Sequence, residues 1–320
     1  MALGGNAVAG RRRHVLLFPL AYQGHINPMF RLAGILHGRG FAVTVFHTHF
    51  NAPDPSRHPE YRFVPVPDGM SGPAPVAIED VVSHILALNT ACEAPFRDRL
   101  AAVMEEYSRD DVACIVVDTH LLSMVKVATK LSVRTLVLRT GSAACLSCFV
   151  AYPLLIKRGY LPVQGTVGAG DGGLVAADGL TRLPDGFEEA TRGRGMVVEW
   201  APQEEVLRHA AVAGFWTHGG WNSTTESVCE GVPMLCRPHF GDQMGNARYV
   251  EHVWRVGFEV AGALERGGVE AAIRRLVTGS EGAQMRARAG ELKKAAKECT
   301  GEAGSSGLAI GKLVDHMLAL

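Results

Sequence analysis

Residues 200–243 read WAPQEEVLRHAAVAGFWTHGGWNSTTESVCEGVPMLCRPHFGDQ, and this stretch decides the fold and the chemistry. The apolar run Gly214 to His218 has the composition of a strand, and Gly219-Gly220 follows as a turn. A helix can start near Trp221-Asn222-Ser223, with Asn or Ser as N-cap and Glu226 three positions beyond Ser223, as in a capping box. A strand, a glycine turn and a fresh helix N-terminus offer free backbone N–H groups and a positive dipole end to a phosphate. His218, just before the turn, can donate a further hydrogen bond. Trp200 offers a flat ring for a base, Glu226 can accept from ribose hydroxyls, and Asp242-Gln243 can accept from and donate to sugar hydroxyls. Together these residues suit a nucleotide sugar.

The rest of the chain agrees with a parallel α/β architecture. Short, continuously apolar strands are expected at His14–Pro19, Phe41–His47, Tyr61–Val66, Ala113–Asp118 and Val133–Leu138. Helices are expected near Asn27–His37, Ile78–Asn89, Pro95–Tyr107, Leu121–Lys130 and Ala143–Lys157. Apolar strands alternating with helices mean a parallel sheet covered on both faces. In the second half, strands are expected at Gly195–Glu199, Ala213–Thr217, Pro233–Cys236 and Gly257–Val260. The helices there are Gln203–His209, Trp221–Glu230, Asp242–Val253, Val269–Thr278, Ala283–Cys299 and Ser305–Leu318, with a short one near Gly186–Thr191.

Ligands of such sheets sit outside the carboxyl ends of the strands. His25, in the loop after the first strand, and Asp118, at the end of a later one, can both reach that rim. A neutral imidazole there can take a proton from a hydroxyl, and a carboxylate on its far nitrogen fixes the tautomer. Among 13 histidines, spacing alone does not pair these two. Each could equally be a cap of the helix that follows it.

Composition narrows the classes. The 320 residues suffice for two domains, and 47% hydrophobic content supports real cores. Lys+Arg and Asp+Glu both number 32, which argues against a nucleic-acid partner. Arg11-Arg12-Arg13 reads as a solvated tail, and Val15–Leu20 is too short for a signal-peptide core or a membrane span. The 7 cysteines follow no secreted framework, so reduced thiols and a cytoplasmic location are expected. Cys145 and Cys148 form a lone CxxC in a helical stretch, which reads as packing rather than metal binding. Gly168 to Gly173 contains a literal GxGxxG. With no strand before it and no helix directly after it, it reads as a flexible junction instead of a dinucleotide fingerprint. A nicotinamide-dependent oxidoreductase is disfavoured for a similar reason, since the loop after the first strand is PLAYQGHINP.

The 200–243 stretch resembles the donor-binding box of plant family 1 UDP-glycosyltransferases, without a gap in length. PLAYQGHINP (Pro19–Pro28) and CIVVDTH (Cys114–His120) resemble two further stretches of that family. The resemblance implies a GT-B fold, two facing Rossmann-like domains with parallel sheets, and inverting transfer of glucose from UDP-glucose to a hydroxyl of a small plant metabolite. No metal or cofactor beyond the UDP-sugar is implied. His25 would be the catalytic base and Asp118 its partner. Trp200 would stack on uracil, with Gln203 near the ribose and Glu226 holding its hydroxyls. His218, Asn222 and Ser223 would hold the diphosphate, Trp221 would lie beside the sugar, and Asp242 and Gln243 would hold it. Gly219 stands where many members carry cysteine. GYLPV and DGFEEATRGRG look closest to grass enzymes acting on benzoxazinoids or flavonoids, and the acceptor pocket would be built around residues 70–95 and 140–155.

The expected organisation is a disordered tail at 1–13, an acceptor domain at 14–164 and a glycine-rich junction at 165–173. A partial donor domain follows at 174–300, and a C-terminal helix at 301–320 packs back on the first domain. Members of the family normally carry a further segment at the junction, on the order of 130–150 residues, nearly a domain. Its absence leaves the second domain incomplete, and the alternative to an active transferase is an inactive, shortened member with a binding or regulatory role.

Overall fold

The computed structural model describes residues 13–69, 81–159, 185–198 and 200–320. The expected tail through residue 12, the start of the helix at Ile78, the junction at 165–173, the loop at 174–184 and Glu199 lie outside the described residues. The rest packs into two compact units. One holds 13–69, 81–140 and 309–320; the other holds 141–159, 185–198 and 200–308.

The first unit alternates strand and helix: β1 (His14–Phe18), α1 (Gln23–Gly38), β2 (Ala42–Thr48), β3 (Arg62–Val66), α2 (Val81–Glu105), β4 (Val112–Asp118), α3 (Leu122–Lys130) and β5 (Thr135–Leu138). The sheet runs β3-β2-β1-β4-β5 with every pair parallel. Alternate residues of β1 serve opposite cores. Leu16 and Phe18 join Phe46, Leu88, Phe96 and Met124 beneath α2 and α3. Val15 and Leu17 join Met29, Leu36, Val45 and Val116 on the α1 face. Burial of both faces is why these strands read as unbroken apolar runs.

Two helix expectations need correction. Helix α1 begins at Gln23, ahead of Asn27, and carries Pro28 inside it, because the Tyr22 carbonyl already accepts from His25 and Ile26 N–H at 2.8 Å each. The expected pair at 78–89 and 95–107 is, from residue 81, the single helix α2 with Pro95 inside. A buried stripe of Leu88, Cys92, Phe96, Leu100 and Val103 runs past the proline and keeps the helix on the sheet.

The second unit contains α4 (Ala143–Lys157), α5 (Phe187–Thr191), α6 (Gln203–Arg208), β6 (Phe215–Thr217), α7 (Trp221–Glu230), β7 (Met234–Cys236), α8 (Gln243–Arg248), β8 (Gly257–Glu259), α9 (Arg266–Val277) and α10 (Gly279–Thr300). A π-helical stretch, Tyr249–Val253, extends α8. Its sheet has three described parallel strands, β6-β7-β8. The strand expected at Gly195–Glu199 is not formed over 195–198: none of those residues pairs with a described strand, and Met196 is 87% exposed. The boundary from packing falls at Thr140/Gly141, ahead of residue 164, because α4 packs on α8: Cys145 Sγ lies 3.7 Å from the Asp242 carbonyl oxygen. The last helix, α11 (Ser305–Ala319), sends Val314 and Met317 into the β1 core on the α1 face, and Arg13 donates to the carbonyls of Met317 and Leu318.

Phe96 sits between Phe18 and Phe46, with ring centroids 5.0 and 5.3 Å away. Phe96→Ala is expected to destabilise the first unit by about 3–5 kcal/mol, read as a lower urea midpoint. A loss under about 1 kcal/mol would show that α2 is not held through this ring.

Candidate functional site

The first constellation lies at the carboxyl ends of β1 and β4. These strands are neighbours, with Phe18 opposite Val117, so the loop after β1 meets the end of β4. The strand order reverses direction here, β2 lying on one side of β1 and β4 on the other, which is where open α/β sheets leave a crevice. His25 is in the first turn of α1, and its Nδ1 lies 2.7 Å from Asp118 Oδ2. Thr140 Oγ1 is 3.2 Å from the same nitrogen. Asp118 is fully buried, yet its carboxyl is held down at about 2: burial pushes it up, and hydrogen bonds from His120 and His25, with the charge of His25, outweigh that. An ionised carboxylate only accepts, so the His25 proton lies on Nδ1 and the Nε2 lone pair can take a proton from a substrate.

Sequence reasoning missed two members of this cluster. Thr140 gave no local signal. Asp118 signals an Asx turn that brings residue 120 beside its carboxylate, whatever that residue is, and the His120 backbone N–H donates to Asp118 Oδ1 at 2.9 Å. His25, Asp118 and His120 are also a possible metal-ligand group, with donor atoms within 4.8 Å of one another. Both carboxylate oxygens accept N–H donors at hydrogen-bond distances.

The second constellation is built wholly within the second unit, around the turn joining β6 to α7. Gly219 takes φ +78°, a left-handed conformation that favours glycine. At Gly220 a Cβ would fall 2.4 Å from His218 Nε2, so glycine lets the His218 ring lie against the turn. Burial, followed by the charge of His239, holds His218 below the usual histidine range. Asn246 Nδ2 donates to the Gly219 carbonyl at 2.9 Å and to Asp242 Oδ2 at 3.1 Å, a tie from α8 to the turn that the sequence did not reveal.

The expected capping box is not formed. The N-cap of α7 is Gly220, without a side-chain cap bond, and Trp221, Asn222 and Ser223 are its first three residues. The helix starts three residues earlier than a Ser223 cap requires because Gly220 is already extended and its carbonyl accepts from Thr224 N–H at 2.9 Å. Glu226 instead accepts from Gln203 Nε2 at 2.7 Å, and Ser223 Oγ accepts from the same amide at 3.2 Å. Gln203, Ser223 and Glu226 thus form one hydrogen-bonded set. Trp200, 75% exposed, precedes α6. Trp221 lies 6.3 Å from the Trp254 ring. Gln243 is buried, and its Oε1 accepts from His239 and Phe240 N–H at 2.7 and 3.1 Å, closing the loop that leads to Asp242.

These features can be set beside known proteins. Residues 177–286 match the family model described as UDP-glucoronosyl and UDP-glucosyl transferase. The chain is 36% identical to DIMBOA UDP-glucosyltransferase BX8 of Zea mays, covering 92% of this chain and 96% of that protein. It is 34% identical to DIMBOA UDP-glucosyltransferase BX9 of the same species, covering 96% and 95%. The BX8 comparison runs over 442 positions although this chain has 320 residues, so the relative holds a long internal stretch with no counterpart here. Among solved structures, that of Phytolacca americana UGT2 complexed with UDP-2fluoro-glucose and pterostilbene superposes with a TM-score of 0.77 at 18% identity, covering 95% of this chain and 99% of that one. That likeness is one of fold, the GT-B type with Rossmann-like parallel-sheet domains. The sequence relationship goes further: this chain belongs to the UDP-glucoronosyl and UDP-glucosyl transferase family, among its plant UDP-glycosyltransferases.

Proposed function

We propose that this protein transfers glucose from UDP-glucose to a hydroxyl of a small plant metabolite, a phenolic, flavonoid or benzoxazinoid, with inversion at the anomeric carbon. The observation that carries this is the 2.7 Å bond between His25 and the buried Asp118, a general base already in the right tautomer. His25 Nε2 removes the acceptor proton as its oxygen attacks, and Asp118 stabilises the imidazolium that forms. The names of the maize relatives support glucose as the sugar and a benzoxazinoid as one acceptor class.

On the donor side, Trp200 stacks on uracil. Gln203 and Glu226, already hydrogen-bonded to each other, exchange that bond for the ribose hydroxyls. His218, Asn222 and Ser223 hold the diphosphate at the N-terminus of α7, whose dipole and N–H groups stabilise the departing UDP without a metal. Trp221 flanks the sugar, and Asp242 and Gln243 accept from and donate to its hydroxyls. The balanced charge fits a small-molecule substrate and not nucleic acid. No helix among the described residues is long and apolar enough to cross a membrane, and we assign the protein to the cytoplasm.

One set of observations favours a second reading, a shortened member that binds ligand without turnover. Three strands are described in the second sheet, Met196, Val197 and Val198 are exposed, and the maize relative has a long stretch unmatched here. Sustained product from UDP-glucose and a phenolic panel discriminates in favour of transfer.

His25→Ala is expected to lower turnover by 10²–10⁴-fold while calorimetry still shows UDP binding; unchanged turnover would remove His25 from the mechanism. Trp200→Ala should weaken UDP binding by roughly 1–3 kcal/mol, the scale of a base stacked on an aromatic ring. If wild-type protein gives no heat with UDP, or the variant binds equally well, the donor assignment fails.

A further inference from the structure

Asp118 holds two imidazoles, and the mechanism above uses only one. Its Oδ2 accepts from His25 Nδ1. Its Oδ1 accepts twice from His120, from the backbone N–H at 2.9 Å and from ring Nδ1 at 3.1 Å. The backbone bond closes an Asx turn that any residue with an N–H could form at position 120; the ring bond requires a side-chain donor there. The two rings meet edge to face, with centroids 5.0 Å apart and planes at 84°. The turn is fixed from α2: Asn89 Nδ2 donates to the His120 carbonyl at 2.7 Å, and Asn89 Oδ1 accepts from Ser123 N–H at 2.9 Å. The His120 side chain is 41% exposed, so packing alone does not account for where its ring lies.

We propose that His120 is a positioning residue for the base, and that His25, Asp118 and His120 act as one hydrogen-bonded unit. This rests on the reading of His25 as the base. A carboxylate can turn about its Cβ–Cγ bond. Two donors on Oδ1 hold it in one orientation and keep Oδ2 aimed at His25. The His120 N–H also draws on the carboxylate charge. Without it, that charge falls more fully on His25 and favours the imidazolium over the free base.

The test is an NMR titration of the His25 ring in the isotope-labelled full chain, comparing wild type, His120→Phe and His120→Asn, with Asp118→Asn to identify the coupled resonance. His120→Phe keeps the backbone bond and a ring but deletes the donor. Its His25 midpoint should rise, by roughly one pH unit, the scale of a single hydrogen bond to a charged group. In His120→Asn the side-chain amide can donate from the place of Nδ1, and the midpoint should return most of the way to wild type. Where product forms, His120→Phe should lower kcat and leave the KM for UDP-glucose unchanged. A wild-type midpoint in His120→Phe overturns the proposal, as does a His120→Asn that titrates like the phenylalanine variant. The midpoint is read without turnover. A chain that makes no product but shows the shift therefore counts against glucose transfer and not against this unit.

Discussion

The first unit depends on β1 lying beside β4 in parallel register. Phe18 faces Val117, so the loop after β1 and the residue ending β4 emerge at one rim of the sheet. That adjacency brings His25 and Asp118 together across 93 positions of sequence. Alternating side chains of β1 anchor two separate cores, and a one-residue slip would exchange every buried contact on both faces. The register that keeps Leu16 and Phe18 under α2 and α3 is therefore also the register that sets the distance from His25 to Asp118.

Burial gives Asp118 its properties. An isolated buried carboxyl would be driven neutral, but three donors surround this one and keep it ionised. The Asx turn into His120 supplies one of them locally, and α2 secures that turn through Asn89. The same helix closes the core beneath the strands through Phe96 and Leu100. The packing that stabilises the sheet and the bonds that orient the carboxylate share one element.

The second unit solves a different problem with backbone. Gly219 and Gly220 permit a tight passage from β6 into α7, Asn246 ties the turn down, and His218 lies against it. Residues read as ligands of a nucleotide sugar, Gln203, Ser223 and Glu226, hydrogen-bond to one another. Binding would replace existing hydrogen bonds, so its net gain must come from stacking and charge as well. Among the described residues the sheet of this unit has three strands, and exposed Met196, Val197 and Val198 precede Trp200.

The sequence by itself determined the alternation of strand and helix, the two-sided burial of the first sheet, the glycine turn before Trp221 and the family. Each rests on local spacing: continuous apolar runs, paired glycines, and particular side chains at fixed separations along one stretch. Helix limits were less legible, since Pro28 and Pro95 read as boundaries; bonds to the Tyr22 carbonyl start α1 ahead of the first, and tertiary burial carries α2 through the second. Ser223 and Glu226 likewise read as a cap, but an extended Gly220 started α7 ahead of them. Spacing alone did not pair His25 with Asp118 among 13 histidines; the family resemblance implied the pair, and the tertiary structure placed the two 2.7 Å apart and added Thr140, Asn89 and Asn246, residues whose partners are remote in the chain. The physical reason is the order of strands in the sheet: sequence periodicity says that a strand exists, and long-range packing says which strand lies beside it.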